Sequence, residues 1–339
     1  MDRAKLKRMT RRTEFYMFLV LIALCVAVQI ISGGQLISLP QVLTRQNVTI
    51  LRTMVVDGMF ALCSLVVMIS GGFDLSFPAI AALAYSLSCT ICLNNGWCQT
   101  NPVMGFLMAA VFGWIMGMLN GWIISNFKLN TMIVTLGTQT FFMGTSLGLF
   151  KMKEITSTLP QGFKDFGKAF IFEAKDPVSG IRFTLTAMIL FLIALSIIVS
   201  FILNKTMFGR ALYAIGGNEV SAERAGYNVK RIKFLLYSIV GALSGFIGMI
   251  RVCMASQSIP LALEGTEMTI IPAVILGGAS IFGGEGTVFG TIVAVGIIST
   301  VSNSMLLLGI DTYWQNFFNG IVILVGITIS ALQARRQSR

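Results

Sequence analysis

Apolar runs of about 20 residues recur along almost the whole chain, and they limit the folds that it can adopt. The 339 residues are 55% hydrophobic and only 12% charged, whereas a soluble domain carries about 25% charged residues. Runs of about 20 apolar residues have the length that a helix needs to cross a bilayer. The sequence therefore predicts an all-α fold, a polytopic helical bundle in a membrane, with residues 1–339 forming a single domain.

Ten apolar segments are long enough to be predicted as spans, and an even number places both termini on one side. Six basic residues lie in residues 1–14, six in 204–233 and three in 333–339. Because basic residues favour the cytoplasmic side of a membrane, this distribution predicts an N-in/C-in topology. It also explains the net charge of +11 without a nucleic-acid partner. The predicted spans are 15–37, 48–70, 76–93, 103–125, 131–150, 183–203, 234–254, 268–283, 287–309 and 313–332.

Residues 151–182 form a polar segment that this topology makes an external loop. A short interfacial helix is predicted around residues 163–172, and the loop is either a platform for a soluble partner or a simple connector. In the third predicted span, Cys89 and Cys92 have CxxC spacing within an apolar segment. That setting favours two small buried residues over a redox or metal site. A disulfide between Cys92 and Cys98 is left open.

Small residues repeat at the spacing of helix contacts, which predicts a tightly packed bundle. The chain has no histidine, so the commonest metal ligand is missing and no metal site is predicted. The repeats are Gly113/Gly117/Gly121, Gly144/Gly148 and Gly241/Gly245.

Asp74 lies in the first of two glycine-rich segments between apolar runs. Gly71 and Gly72 precede it, and Ser76 and Pro78 follow it. Glycine pairs loosen a helix, and Asp ahead of an apolar run favours a helix start. We predict a helix break with an N-cap at Asp74, with contact to a ligand or an ion as the alternative.

The second glycine-rich segment contains Gly277, Gly278, Gly283, Gly284 and Gly286. It matches neither the dinucleotide-binding fingerprint nor the P-loop, since it lacks the required lysine and glycine spacing. The sequence therefore predicts no nucleotide-binding cofactor site on this chain. If ATP drives the protein, another polypeptide must bind it.

The polar loop 204–233 carries the clearest local signals outside the apolar runs. Asn218 is a favourable N-cap and Gly226 a favourable helix terminator. Glu219 in the first turn and Arg224 in the last complement the helix dipole. The sequence therefore predicts a short capped helix outside the membrane, with a simple basic anchor as the alternative.

Several segments resemble the permease subunits of bacterial ATP-binding-cassette importers for sugars of the ribose, xylose and galactose type. They span the chain in the order found in that family. They are GGFDLS at 71–76, TLGT at 135–138, GRALYAIGGNE at 209–219 with its continuation to 229, and LGGASIFGGEGTVFG at 276–290.

The resemblance implies a multi-pass subunit of the bacterial cytoplasmic (inner) membrane that is not an enzyme. It implies a second permease copy or paralogue, an ATPase that holds ATP and Mg²⁺, and a periplasmic or lipid-anchored sugar-binding protein. Residues 218–226 would be the coupling helix that contacts the ATPase. The ATPase-coupling candidates are Gly209, Arg210, Gly217, Asn218, Glu219, Ala222, Glu223 and Gly226. The candidates for helix breaks and the translocation path are Gly71, Gly72, Asp74, Ser76, Gly277, Gly278, Gly283, Gly284 and Gly286.

The expected substrate is a monosaccharide, either a ribose-like pentose or a hexose. Similar permeases carry nucleosides or autoinducer-type furanosyl compounds, which are the alternatives within this class. A different alternative is an ion-coupled secondary transporter of a small polar solute. That mechanism needs carboxylates within the membrane, and Asp57 and Asp74 are the candidates for them.

Overall fold

The computed structural model describes residues 14–26, 45–151, 153–175 and 182–307, together with Trp314, Phe317, Gly320 and Ile321. These residues are mostly helical, as the sequence predicts. The helices are α1 (Glu14–Val26), α2 (Arg45–Ile69), α3 (Phe77–Asn94), α4 (Val103–Phe127), α5 (Thr131–Phe150), α6 (Gln161–Gly167), α7 (Ile189–Lys205), α8 (Met207–Gly217), α9 (Glu219–Arg224), α10 (Val229–Ala255), α11 (Glu267–Leu276) and α12 (Val288–Leu307).

Six helices of the described residues, α2, α3, α4, α5, α10 and α12, are long and apolar enough to cross a membrane. Helices α7 and α8 meet at an angle of 72° and form a seventh candidate when they are taken together. Residues 27–37 of the first predicted span and most of the last predicted span, 313–332, lie outside the described residues. The count of ten spans and the N-in/C-in topology therefore stay predictions.

The eighth predicted span, 268–283, is much shorter in the structure. Helix α11 has ten residues and ends at Leu276, and Gly277 occupies its C-cap position. Gly278 follows with a φ of +90°, a left-handed conformation that glycine adopts readily. The apolar pattern continues past this turn, but the glycines end the helix.

The polar segment 151–182 also differs from the prediction. Helix α6 replaces the helix expected around 163–172, and it is followed by the antiparallel strands β1 (Phe170–Lys175) and β2 (Arg182–Thr186). Aromatic and β-branched residues in both strands fit a pleated pair better than a helix. The all-α prediction is thus wrong at this hairpin, and the sixth predicted span, 183–203, begins in β2 instead of in α7.

Glycine contacts join α4 to α10, as the small-residue spacing predicts. A methyl group added to Gly241 would lie 2.6 Å from Gly117 Cα, and one added to Gly121 would lie 2.8 Å from Phe234 O. Backbones can approach this closely only where side chains are absent. By contrast, nothing in the described chain lies within 4 Å of a methyl group added to Gly144 or Gly148. The contact predicted for that pair is not found within the described residues.

Different links and turns gather at the two ends of the bundle. At one, here called the glycine end, the α2–α3 and α4–α5 links lie beside α8 and the turn after α11. At the other, the hairpin end, the α3–α4 turn contacts the start of α6, where Gly162 N donates to Cys98 O at 3.1 Å. An antiparallel bridge between Ile155 and Ser258 joins two further loops there.

We expect Gly241→Ala to lower the free energy of unfolding by about 1–3 kcal/mol, because the added methyl group meets backbone atoms of α4. Gly217→Ala in α8 is the matched control, since its methyl group would meet nothing within 4 Å among the described residues and alanine favours the helix. Thermal unfolding of both purified variants in detergent measures the difference. Equal unfolding temperatures would contradict the packing described for α4 and α10.

Candidate functional site

The chain turns sharply between α7 and α8. Thr206 has an extended backbone, with φ −101° and ψ 160°, and its Oγ1 accepts a hydrogen bond from Gly209 N at 3.2 Å. A methyl group added to Gly209 would lie 2.6 Å from Leu203 Cα, so glycine is needed where α8 folds back on α7. Arg210, on the next position, is exposed.

Helix α9 has the caps that the sequence predicts. Asn218 Oδ1 accepts a hydrogen bond from Ser221 N at 2.8 Å, which satisfies one of the free donors at the helix start. Gly226 has a φ of +89°, and its N donates to Glu223 O at 3.0 Å. The capped helix within residues 218–226 is therefore confirmed, while its contact with an ATPase stays a prediction.

A small apolar cluster holds α9 on the rest of the protein. Ala222, on the inner face of α9, is buried together with Ile215 of α8 and Val229 of α10. Gly217 is exposed at the junction of α8 and α9, and a methyl group added to it would meet nothing within 4 Å among the described residues. Since α9 has only six residues, these contacts and its two caps define its position.

Two ion pairs connect α9 to other parts of the glycine end. Lys233 Nζ of α10 lies 2.6 Å from Glu219 Oε2, and Lys128 Nζ of the α4–α5 link lies 3.7 Å from Glu223 Oε1. The Lys233 side chain is only 18% exposed, whereas the Lys128 side chain is 76% exposed. Exposed pairs contribute little to stability, so the Glu219–Lys233 pair is the stronger connection. Neither lysine was among the ATPase-coupling candidates, because no local periodicity links them to α9.

The two glycine-rich segments meet each other and the end of α8. Gly284 N donates to Ile69 O at 2.9 Å, which joins the turn after α11 to the end of α2. A methyl group added to Gly283, whose φ is +89°, would lie 2.6 Å from Gly71 Cα and 2.8 Å from Gly216 O. The structure thus brings together residues that the sequence analysis placed in separate motifs.

Other contacts fix the same turn. Tyr213 Oη of α8 donates to Gly286 O at 2.8 Å, and a methyl group added to Gly284 would lie 3.1 Å from Gly217 Cα. Gly277 contacts Thr291 of α12 instead, where an added methyl group would lie 2.7 Å from its Cα. Gly216 and Tyr213 were not among the candidates, although both lie within the motif that the sequence analysis identified.

Asp74 is buried, but it is not the N-cap of α3. The helix begins at Phe77 with Ser76 in the cap position, and Asp74 Oδ1 accepts hydrogen bonds from Ser76 N at 2.8 Å and Ser76 Oγ at 2.6 Å. Pro78 lies in the first turn, where its missing N–H costs nothing, so the helix starts later than predicted. Asn120 Nδ2 of α4 donates to Ser76 Oγ at 2.8 Å. Burial raises the pKa of the Asp74 carboxyl, and the hydrogen bonds from Ser76 and Phe77 act against that rise.

The rest of the α2–α3 link is held by α5 and α10. Thr131 Oγ1 accepts from Phe73 N at 2.9 Å, and Thr135 Oγ1 accepts from Leu75 N at 3.2 Å. Thr135 belongs to the TLGT segment, which thereby acquires a structural role. A methyl group added to Gly72 would lie 2.7 Å from the hydroxyl of Tyr237, so this link also contacts α10.

Asp57 lies apart from this network, half-buried in α2. It lines a small cavity with Thr269 and Ser299. Arg251 of α10 is near enough to attract its charge, but the two side chains form no ion pair within 4 Å. Among the described residues, no group of three or more His, Cys, Asp or Glu could hold a metal ion.

We expect Asp74→Ala to destabilise the protein by about 1–3 kcal/mol, because two buried donors of Ser76 lose their acceptor. Asp74→Asn should stay close to the wild type, since its amide oxygen can accept the same hydrogen bonds. Thermal unfolding of the purified variants checks both. If Asn is as damaging as Ala, the charge and not the acceptor is what the site requires.

Comparison with known proteins identifies the family. A family model described as the permease component of branched-chain amino acid transport systems matches residues 46–327. Ribose import permease RbsC of Bacillus subtilis is 34% identical over 281 residues, which cover 83% of each chain. RbsC of Escherichia coli K12 is 29% identical over 311 residues, or 91% of this chain and 92% of its own. The L-arabinose ABC transporter permease AraH of Azospirillum brasilense is 28% identical over 304 residues, or 89% and 84%. The match with a relative over most of both chains, together with the family model, shows that the chain belongs to this family of transport-system permeases.

Proposed function

We propose that the chain is the transmembrane permease subunit of an ATP-binding-cassette importer that moves a monosaccharide into the cell. Relatives that are similar over most of their length are named as ribose import and L-arabinose permeases, which supports a ribose-like pentose as substrate, with a hexose as the other monosaccharide considered. The observation that carries the proposal is the capped helix α9, which is joined through α8 to both glycine-rich segments. The chain then contributes the path, and a separate ATPase subunit hydrolyses ATP.

The proposed topology has ten spans, with both termini in the cytoplasm of a bacterium and the protein in its inner membrane. Loop 204–233, with its six basic residues, is then cytoplasmic, and so is the glycine end. The hairpin end faces outwards, where a periplasmic or lipid-anchored binding protein delivers the sugar. The loop and strands of residues 153–175 and 182–186 give that partner a folded surface.

The ATPase contact would lie on the exposed side of α8 and α9. Arg210 and Glu223 are exposed there, while Ala222 is buried beneath and Gly209 sets the angle of α8. ATP binding in the partner displaces α9. The ion pair with Lys233 and the contacts of α8 carry that displacement to α10 and to the links that follow α2 and α11.

A second permease copy or paralogue would complete the path. Helix α5 supports this, because Gly137, Gly144 and Gly148 have open space beside them among the described residues. Ile133 and Phe141 on the same helix are 71% and 63% exposed. In lipid, small residues on an exposed helix face allow close association with another helix.

Transport requires that the bundle has two conformations. ATP and the sugar-loaded binding protein can shift the balance between them only if each stabilises one conformation more than the other. The buried hydrogen bonds of Asp74 and Ser76 keep the α2–α3 link in one shape, which suits a pivot. Because Asp74 already has its partners and Asp57 lies near Arg251, neither carboxylate is an obvious site for a driving ion. This favours the importer over an ion-coupled secondary transporter.

Two other classes of substrate are alternatives to a sugar. Nucleosides or furanosyl signalling compounds remain the alternatives within the importer class, and the description of the family model favours branched-chain amino acids.

We expect ATP-dependent uptake of labelled ribose or another monosaccharide by proteoliposomes that contain the chain, its ATPase and its binding protein. Leucine should not be taken up, and an uncoupler should have no effect. The proposal would be contradicted if uptake occurred without ATP and an uncoupler abolished it.

The Glu219–Lys233 pair gives a test of the coupling role of α9. We expect Glu219→Lys and Lys233→Glu each to reduce sugar-stimulated ATP hydrolysis by about tenfold, which corresponds to about 1.4 kcal/mol, because like charges then meet at a partly buried position. The double exchange Glu219→Lys with Lys233→Glu restores the pair and should recover most of the activity.

Glu264→Lys is the control for this series, because it makes the same change of charge at an exposed position of the hairpin end. Its ATP hydrolysis without sugar should match the wild type, because the change lies on the side proposed for the binding protein and does not touch α9. Full activity in both single variants, or no recovery in the double variant, would show that α9 does not act through this ion pair.

A further inference from the structure

The exposed turn between α3 and α4 contains one buried residue. Every residue from 94 to 101 is exposed except Cys98, which is 7% exposed. Its side chain points inwards to Cys92, in the last turns of α3, which is fully buried. The two sulfur atoms are in contact at 2.8 Å. The single buried side chain of this polar turn is thus a thiol that lies against a second thiol.

The backbone of Cys98 is arranged to make this contact. Its φ is +64°, in the left-handed region that residues other than glycine seldom adopt. Trp97 N donates to Cys92 O at 2.8 Å, which closes the turn over the two cysteines. Residues in sparsely populated conformations persist where the surrounding structure holds them, and they often mark a functional constraint. Here the conformation directs the Cys98 side chain to Cys92.

The turn also supports the polar segment at the hairpin end. The carbonyl of Cys98 accepts from Gly162 N at 3.1 Å, and Gln99 Oε1 accepts from Gln161 N at 3.3 Å. These two hydrogen bonds hold the first residues of α6. A constraint on Cys98 therefore also fixes the place where the external segment begins to fold.

Other roles for this pair fit the structure less well. The described residues hold no group that could bind a metal through three or more ligands. A reactive cysteine needs an accessible thiolate, whereas both of these side chains are buried. Cys89 and Cys253 are also buried near this end. Within the part of the chain that the structure describes, neither has its sulfur atom in contact with another sulfur atom, as Cys92 and Cys98 do.

We propose that Cys92 and Cys98 form an intramolecular disulfide in the mature protein. The inference rests on the orientation proposed above, which places this turn on the outer, oxidising side of the membrane. A disulfide-bearing oxidant, either a protein or a small molecule, accepts the electrons by thiol–disulfide exchange. One cysteine thiolate attacks the oxidant and releases one thiol. The second cysteine thiolate displaces the other, so that two Cys–SH and R–S–S–R give Cys–S–S–Cys and two R–SH. Because both side chains are buried after folding, the bridge forms while the turn is still accessible.

The test counts free thiols by intact mass. Cells that express the full chain are quenched in acid and dissolved in detergent with N-ethylmaleimide, with and without prior reduction. The chain has six cysteines, so we expect four labels without reduction and six after it. Cys92→Ser and Cys98→Ser should each show five labels in both states. Cys63→Ser, a buried control in α2, should show three and then five.

Six labels on the unreduced wild type would overturn the proposal. Three labels on unreduced Cys92→Ser would also overturn it, because Cys98 would then pair with another cysteine. A further sample of purified protein, refolded with oxidised glutathione, separates the two causes of a negative result. Four labels there but six in cells would mean that the turn faces a reducing compartment and that the proposed orientation is wrong. Six labels in both would mean that the pairing itself is wrong.

Discussion

Direct backbone contact at glycine is the interaction on which this bundle depends. In lipid, burial of apolar side chains does not drive helices to associate. Helix association therefore depends on close approach of the backbones and the dispersion energy that it brings. Gly113 and Gly117 of α4 lie against Gly241 of α10, and Gly121 lies against the backbone of Phe234. The same kind of contact recurs at the glycine end, where it joins two turns and a helix end instead of two helices.

These two uses of glycine have different consequences. Between α4 and α10, contacts spread along both helices give a rigid unit. At the glycine end, the contacts are confined to the left-handed turn residues Gly71 and Gly283 and to Gly216 near the end of α8, next to the buried hydrogen bonds of Asp74. A bundle with one firm helix pair and one compact joint can change shape at the joint without losing its packing. This is the property that the proposed mechanism requires, in which a separate ATPase subunit drives the permease.

The sequence predicted the local features well, because their causes are local. Asn218 and Gly226 act on the residues next to them, so the caps of α9 could be read from the chain. The spacing of Gly113, Gly117 and Gly241 likewise predicted a helix contact, although it did not name the partner helices. The convergence of Gly71, Gly216 and Gly283 could not be predicted, because it depends on how distant segments meet. The hairpin was missed because residues 170–175 and 182–186 were judged by polarity and not by their alternating aromatic and β-branched residues, and α11 was overextended because its apolar pattern continues beyond Gly277.

The bend between α7 and α8 has a mechanical consequence. Because the two axes meet at 72°, α8 runs at a shallow angle to the bilayer surface when α7 stands close to the normal. A push along the normal at the far end of α8 then acts as a torque about Thr206. A small displacement by a soluble ATPase subunit would therefore reach the membrane as a rotation. Glycine at position 209 allows α8 to lie close to α7 at the centre of that rotation.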